Sequence, residues 1–243
     1  MKKKLFRLKQ FTIDQTHASM KVGTDSDLLG AMAHGGKNIL DIGTGTGILT
    51  LMMAQRFPQA RFTAVEIDDN AVIDAHTNFS SSPWSERITL IHNSFQNFIE
   101  KEITEGRQER FDAIICNPPF FDKSLECPEQ GRQRARHTSS LPFESLIDGA
   151  YRMLEEGGAF SLILPPEVLE NFCLKAKERG FTLKERNGIQ TLPDNPPKRY
   201  VLIFQKILDP SLSVSENTFS MRNSDNTYSQ WYNDLLRDFL LFL

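Results

Sequence analysis

Short apolar segments alternate along this chain with longer segments whose apolar residues recur at helical spacing. The apolar segments predict buried strands at 38–43, 61–68, 87–92, 111–116 and 157–165. The longer segments predict helices at 48–57, 70–80, 95–103, 143–154 and 167–180, the last with Gly180 as its C-cap. Strands that alternate with helices form parallel sheets with right-handed crossovers, so the pattern predicts an α/β fold with a mostly parallel sheet.

The last two predicted strands, 182–192 and 199–207, have no helix between them, so one of them should run antiparallel in a seven-stranded sheet. The segment 209–227 is rich in Ser, Asn and Asp and is typical of a surface linker. The ending, 228–243, is apolar at helical spacing and should dock on the domain or on a second copy of it. The predicted divisions are an N-terminal cap at 1–37, a central domain at 38–207, and a C-terminal linker and helix at 208–243.

Composition narrows the class of protein. Hydrophobic residues make up 40% and charged residues 24% of the 243 positions, which allows a large core and argues against global disorder. No apolar run is long enough to span a bilayer, and the start, MKKKLFRLKQ, lacks the apolar region of a secretory signal. Three irregularly spaced cysteines indicate neither a disulfide framework nor a zinc site. We expect a cytoplasmic protein, a monomer, without a membrane or metal partner.

The net charge of −3 argues against a protein that coats nucleic acid nonspecifically, but the basic residues are clustered. One cluster lies in the first nine residues and comprises Lys2, Lys3, Lys4, Arg7 and Lys9. The other follows residue 131 and comprises Arg132, Arg134, Arg136 and His137. Each cluster is either a solvated surface or a set of contacts to phosphate groups.

The stretch LDIGTGTGIL lies where the first strand of the main sheet should meet a helix. Its three glycines allow the backbone to turn tightly and to approach a ligand closely. Asp41 ends the strand, and Glu66 ends the next strand about twenty residues on, where a carboxylate can reach the ribose hydroxyls of a nucleotide. Ile48 occupies the position of the third glycine in the dinucleotide fingerprint, and no P-loop Lys-Ser/Thr ending follows.

The fourth strand ends in IICNPPFF. In an open α/β sheet, ligands bind beyond the carboxyl ends of the strands, so this motif should face the glycine loop across one cleft. Asn117 and the carbonyl of Pro118 can each accept a hydrogen bond from an amino group and stabilise the charge that develops on it. Phe120 offers a flat face for a base. Cys116 could be a nucleophile, but its place in an apolar strand favours a buried side chain.

The acid before Gly-x-Gly-x-Gly, the second acid after the next strand and the NPPF motif together resemble class I methyltransferases, which use S-adenosylmethionine and have a Rossmann-like fold. The resemblance implies catalytic residues at Asn117, Pro118, Pro119 and Phe120. It implies cofactor contacts at Asp41, Gly43, Thr44, Gly45, Gly47, Glu66, Ile67, Asn93, Ser94, Phe95 and Asn117. Asn93 and Ser94 stand where these enzymes usually carry an acid near the adenine.

Narrower motifs extend the resemblance from about Phe11 to Phe204. They are MKVGTD before the glycine loop, SPW between the second and third strands, and ARHT after NPPFF. Together they are similar to the bacterial tRNA methyltransferases that make N6-methyladenosine next to the anticodon of a valine tRNA. This family implies a segment that closes over the cofactor, with contacts at Lys21, Thr24 and Asp25, and tRNA contacts at Arg132, Arg134, Arg136 and His137.

Three alternatives stay open at this point. A protein glutamine-N5 methyltransferase shares the NPP motif, but such enzymes usually carry a helical N-terminal domain, and about 37 residues precede the first strand here. An rRNA methyltransferase acting on guanine N2 or adenine N6 shares the same chemistry. A cofactor-binding module without catalysis is disfavoured by the presence of Asp41, Glu66 and Asn117.

Overall fold

The computed structural model describes residues 4–107, 110–118, 141–207 and 213–241. Within these ranges the strands are β1 (Leu5–Arg7), β2 (Thr12–Asp14), β3 (Asn38–Ile42), β4 (Arg61–Glu66), β5 (Ile88–His92), β6 (Phe111–Cys116), β7 (Leu154–Leu164), β8 (Thr182–Gln190), β9 (Arg199–Gln205) and β10 (Ser215–Ser220). The helices are α1 (Thr24–Met32), α2 (Ile48–Arg56), α3 (Asp69–Ser80), α4 (Phe95–Thr104), α5 (Phe143–Met153), α6 (Pro166–Arg179) and α7 (Gln230–Leu236). A 3-10 turn at Ser85–Arg87 precedes β5.

The main sheet has the strand order β10-β8-β9-β7-β6-β3-β4-β5, while β1 and β2 form a separate antiparallel hairpin. Strand β9 is antiparallel to β7 and β8, and the other ladders of the main sheet are parallel. The predicted α/β fold with one antiparallel strand is therefore confirmed.

The predicted number of seven strands is one short, because the described part of the main sheet has eight. The additional strand, β10, lies in the stretch whose composition predicted a linker. Four of its six residues are exposed, so no apolar alternation marks it in the sequence. It is formed by parallel pairing with β8, a tertiary contact that local composition does not report.

Two apolar clusters pack on opposite faces of the main sheet. Neighbouring residues of β3 show the separation, because Ile39 belongs to one cluster and Leu40 to the other. Side chains alternate between faces along a strand, so a continuous apolar run is what a strand covered on both faces requires. The run of apolar residues at 38–43 therefore reflects the central position of β3 in the sheet.

The C-terminal segment packs on its own chain, one of the two placements that its pattern predicted. Leu236, Phe239 and Leu240 are buried in the same cluster as Ile39. The backbone N–H of Lys9 donates to the carbonyl of Phe239 at 2.8 Å, which ties this segment to the N-terminal hairpin. Across the described ranges, no helix has the length and apolar character needed to cross a membrane.

Candidate active site

The ends of four adjacent strands bring the predicted site residues to one edge of the main sheet. Ile42 pairs with Val65 of β4 on one side and with Cys116 of β6 on the other. Adjacent strands lie about 4.8 Å apart, so the residues that follow them leave the sheet side by side. The glycine loop after β3 is thus flanked by Glu66 and by Asn117, as the sequence pattern predicted.

The glycine loop depends on backbone angles that favour glycine. Gly43, Gly45 and Gly47 have φ values of 69°, 58° and 85°. At Gly47 a side chain is also excluded by space, because a Cβ there would lie 2.3 Å from the ring of Phe79. The loop is tied to β4 by N–H groups of Gly43 and Thr44, which donate to the carbonyl of Val65 at 2.9 and 3.1 Å.

Asp41 is fully buried beneath this loop. Its Oδ2 accepts hydrogen bonds from the hydroxyls of Thr44 at 2.6 Å and Thr50 at 2.7 Å. Its Oδ1 is also buried and has no hydrogen-bond partner among the described residues. The pKa of Asp41 is raised to about 6, chiefly by burial and to a smaller extent by the nearby Glu66, while the two threonine hydroxyls act in the opposite direction. The arrangement provides an acceptor suited to a cationic donor.

Glu66 links the glycine loop to the start of the next helix. Its Oε2 accepts from the N–H of Gly45, and its Oε1 accepts from the N–H groups of Ile67 and Asp68, each at 2.8 Å. These bonds hold the carboxylate in one orientation. Oε1 already accepts two hydrogen bonds, whereas Oε2 accepts one and keeps a lone pair for a hydroxyl donor. Ile67 is 47% exposed at the same edge and offers an apolar contact beside the carboxylate.

The end of β5 carries the amide and hydroxyl that were predicted near the adenine. The N–H of Asn93 donates to the carbonyl of Glu66 at 2.9 Å, which places this turn next to β4. The hydroxyl of Ser94 accepts from the N–H of Asn97 at 3.1 Å and caps α4. Phe95 is buried in the core, where it would contact a side chain introduced at Gly149.

Asn117 is half-buried and Pro118 is buried directly after β6. Cys116, at the end of that strand, is 2% exposed, and burial raises the pKa of its thiol well above the usual value. A raised pKa disfavours the thiolate, so the structure agrees with a buried side chain rather than a nucleophile. Other predicted residues lie outside the described ranges, namely Pro119, Phe120, Arg132, Arg134, Arg136 and His137.

The three predicted contacts of the N-terminal segment lie around the start of α1. The Nζ of Lys21 donates to the carbonyls of Gln15, at 2.6 Å, and Ala18. Thr24 is exposed as the first residue of α1. Asp25 forms an ion pair with Arg199, the first residue of β9, at 2.8 Å. Contact of Lys21, Thr24 and Asp25 with the cofactor stays a prediction.

The sequence pattern missed several residues that shape the site. Thr50 was assigned only to an apolar helix, yet it supports Asp41. Asn78 was assigned to a helix, yet it bonds to the carbonyl of Thr46 in the glycine loop at 2.8 Å. Thr50 stands between two leucines, which marks it as a polar residue among apolar neighbours but does not identify its partner, and Asn78 has no such signal. In the described ranges, no group of three or more metal-binding side chains is placed to hold an ion.

Comparison with known proteins places these features in a family. Residues 16–187 match the family model described as "Methyltransferase small domain". A tRNA1(Val) (adenine(37)-N6)-methyltransferase of Phocaeicola vulgatus is 41% identical over 97% of this chain and 97% of its own. The enzymes of that name in Bacteroides thetaiotaomicron and Trichodesmium erythraeum are 37% and 38% identical, over 98% and 97% of both chains.

Solved structures show the same fold. The crystal structure of a predicted O-methyltransferase, Atu636 from Agrobacterium tumefaciens, has a TM-score of 0.69 at 21% identity and covers 88% of this chain and 96% of its own. A TYW2 structure from M. jannaschii in complex with AdoMet has a TM-score of 0.55 at 11% identity, over 84% of both chains. The fold and the relatives agree: the chain belongs to the methyltransferase small domain family, within the group of tRNA1(Val) (adenine(37)-N6)-methyltransferases.

Proposed function

We propose that this protein transfers a methyl group from S-adenosylmethionine to N6 of adenosine 37 in a valine tRNA, in the cytoplasm. The observation that carries the proposal is the position of Asn117, one strand away from the glycine loop. The names of relatives that align over 97% of the chain support the substrate.

The residues at the strand ends fit the cofactor. S-adenosylmethionine supplies a methyl group bonded to a sulfonium sulfur, which makes that carbon electrophilic. The unpartnered Oδ1 of Asp41 suits the cationic amino group of the methionine part, and Oε2 of Glu66, which accepts one hydrogen bond, can accept another from a ribose hydroxyl. Ile67, Asn93 and Ser94 follow the neighbouring strands β4 and β5, which supports their proposed contact with the adenine ring.

We assign to Asn117 and Pro118 the activation of a poor nucleophile, the amino nitrogen of adenine. The lone pair of an adenine amino group is delocalised into the ring, so the nitrogen is a poor nucleophile. The side-chain oxygen of Asn117 accepts one amino hydrogen, and the carbonyl of Pro118 accepts the other. Both acceptors favour tetrahedral geometry and stabilise the positive charge that develops on the nitrogen.

The prolines fix the direction of this carbonyl before the substrate arrives. A proline ring restricts φ, so orientation is provided by the free enzyme and not acquired during the reaction. Phe120 supplies the ring face on which the base stacks. The excess proton leaves the nitrogen after methyl transfer, so a dedicated general base is not needed.

The same chemistry suits other conjugated nitrogens, so the product distinguishes the candidates. Guanine N2 in RNA and the side-chain amide of a protein glutamine both need two acceptors in this arrangement. The basic residues Arg132, Arg134 and Arg136 favour an RNA, because guanidinium groups pair with phosphate. An anticodon-loop adenosine is already outside a duplex, which lowers the free-energy cost of moving it into the site.

Nucleoside analysis of cellular tRNA tests the proposal. Purified valine tRNA from cells with and without the gene is digested and compared by mass spectrometry. We expect N6-methyladenosine to disappear from the anticodon-loop fragment when the gene is removed. Retention of that nucleoside after removal of the gene would overturn the proposed substrate.

A further inference from the structure

Asn78, near the end of α3, joins two parts of the site that are distant in sequence. Its Nδ2 donates to the carbonyl of Thr46 in the glycine loop and to the carbonyl of Asp14, both at 2.8 Å. Its Oδ1 accepts from the N–H of Asp14 at 2.7 Å. Asn78 is 3% exposed, and both of its amide protons are used. One side chain therefore sets the distance between the loop and the N-terminal segment.

Asp74, one turn earlier on α3, holds the same segment at a second point. Its Oδ2 accepts from the N–H groups of His17 and Ala18 at 2.9 and 2.8 Å. Its Oδ1 lies 2.7 Å from Nδ1 of His17. The side chain of Asp74 is only 2% exposed, and a buried carboxylate is tolerated when its hydrogen bonds are made. Docking of the segment supplies those bonds.

The segment that begins at Asp14 ends at another anchor. Asp25 pairs with Arg199, which starts β9, and β9 runs antiparallel to its neighbours. The start of β9 therefore lies at the same edge of the sheet as the ends of β3, β4 and β6. Residues 14–25, which we call the strap, are thus tied to α3 at one end and to β9 at the other. In the sheet, β3 and β6 lie between these two anchors.

We infer that Asn78 and Asp74 are positioning residues for cofactor binding, because they fix the position of the strap relative to the glycine loop. The inference rests on the proposed function only for the identity of the cofactor. Neither residue is assigned a contact with it: Asn78 acts through Thr46, and Asp74 acts through His17 and Ala18. Because Asn78 bonds to both parts, its loss should loosen the strap and the glycine loop together.

The chain offers a matched control for replacing Asn78. Asn187 is also 3% exposed and hydrogen-bonded, but its partners are Glu185 and Asn217 on β8 and β10, away from the glycine loop. We expect Asn78→Ala to weaken binding of S-adenosylhomocysteine roughly tenfold, since two buried carbonyls lose their donor. Asn187→Ala should leave the affinity unchanged, and kcat at saturating cofactor should be retained in both variants.

Hydrogen exchange of the cofactor-free protein provides a readout that does not depend on the reaction. Asn78→Ala should speed exchange at the amides of His17 and Ala18 and, at the same time, at Gly45, whereas Asn187→Ala should change neither region. Equal cofactor affinities for the two variants, or faster exchange confined to α3, would overturn the inference. If methyl transfer to tRNA fails while the coupled exchange is seen, the proposed function is wrong and the inference stands.

If Asn78→Ala does not fold, the less disruptive variant His17→Ala tests the same role of the strap. His17→Ala removes one contact to Asp74 from a side chain that is 39% exposed, and it leaves α3 intact. We expect it to weaken cofactor binding several-fold and to speed exchange at Ala18. An unchanged affinity and an unchanged exchange rate in this variant would contradict the role of the strap.

Discussion

Ile42 and Cys116 face each other across the ladder between β3 and β6. The two residues that follow them, Gly43 and Asn117, therefore leave the sheet side by side, about one strand spacing of 4.8 Å apart. The loop proposed to hold the methyl donor and the amide proposed to hold the acceptor nitrogen come from segments more than seventy positions apart. The parallel strands and their order in the sheet bring this loop and this amide together. The motif NPPF therefore indicates a site when it follows the strand next to the glycine loop.

Replacing Asn117 should separate chemistry from cofactor binding. We expect Asn117→Ala to lower kcat for methyl transfer by about two or more orders of magnitude, because a preorganised acceptor for the developing charge is lost. The affinity for S-adenosylhomocysteine should change little, since Asp41 and Glu66 are untouched. Single-turnover kinetics and calorimetry measure the two quantities, and normal turnover in this variant would show that Asn117 has another role.

Cofactor affinity should depend on pH through Asp41. Burial raises the pKa of this carboxyl to about 6 in the free protein, while a cationic amino group binds its ionised form. Affinity should therefore be highest near pH 7 and fall up to tenfold per pH unit below 6, as Asp41 becomes protonated. Calorimetry between pH 5 and 8 tests this, with Asp41→Asn as the variant that should bind weakly at every pH. A flat profile for the unmodified protein would contradict the assignment.

Much of the fold could be predicted because the spacing of apolar residues identifies the helices and strands. The Asp41 and Glu66 carboxylates, the glycines and Asn117 were all identified from their positions at or just after the ends of predicted strands. The strand β10 could not be, because its exposed polar residues owe their conformation to pairing with β8. A local pattern reports which face of an element is buried, but not which polar side chain forms a pair across the fold.

Local sequence patterns also do not reveal the partners of Asn78 and Arg199 in the site. Asn78 bonds to residues 32 and 64 positions away, and Arg199 pairs with a residue 174 positions away. No spacing rule connects such residues, since their partners are fixed only when the helices and strands are packed. The contacts that orient the site were therefore visible only in the structure, while the groups proposed to perform the chemistry were visible in the sequence.

Protein stability should depend on pH through Asp27, whose Oδ1 is buried without a hydrogen-bond partner among the described residues. Burial raises the pKa of Asp27 from 3.8 to about 7. An acid whose pKa is raised by folding destabilises the protein when it ionises, so stability should fall as the pH rises from about 4 to 7. The full shift corresponds to roughly 4 kcal/mol.

Asp27→Asn isolates this effect, because the amide resembles the protonated acid in shape and does not titrate. Urea unfolding should show little difference from the unmodified protein near pH 4 and a more stable variant at pH 8. The contribution of Asp41 is common to both proteins and cancels in the comparison. A stability difference that is the same at both pH values would show that ionisation of Asp27 is not responsible.

The arginine cluster after the NPPF motif should bind tRNA through phosphate groups. We expect replacement of Arg132, Arg134 and Arg136 by Ala to weaken tRNA binding and to reduce the slope of log affinity against log salt by about one unit per residue. Cofactor affinity should not change. A salt titration of filter binding measures both the slope and the affinity. If both are unaltered, the RNA docks elsewhere, for example along the N-terminal lysines.

Methylation of a defined RNA in vitro shows whether adenosine 37 is the acceptor. Purified protein is incubated with labelled S-adenosylmethionine and an unmodified valine tRNA transcript, and with the same transcript in which adenosine 37 is replaced by guanosine. We expect nucleoside mass spectrometry to find one N6-methyladenosine in the first transcript and none in the second, and Asn117→Ala to form the product about two or more orders of magnitude more slowly. Equal labelling of both transcripts, or label on a guanosine, would contradict the proposed substrate.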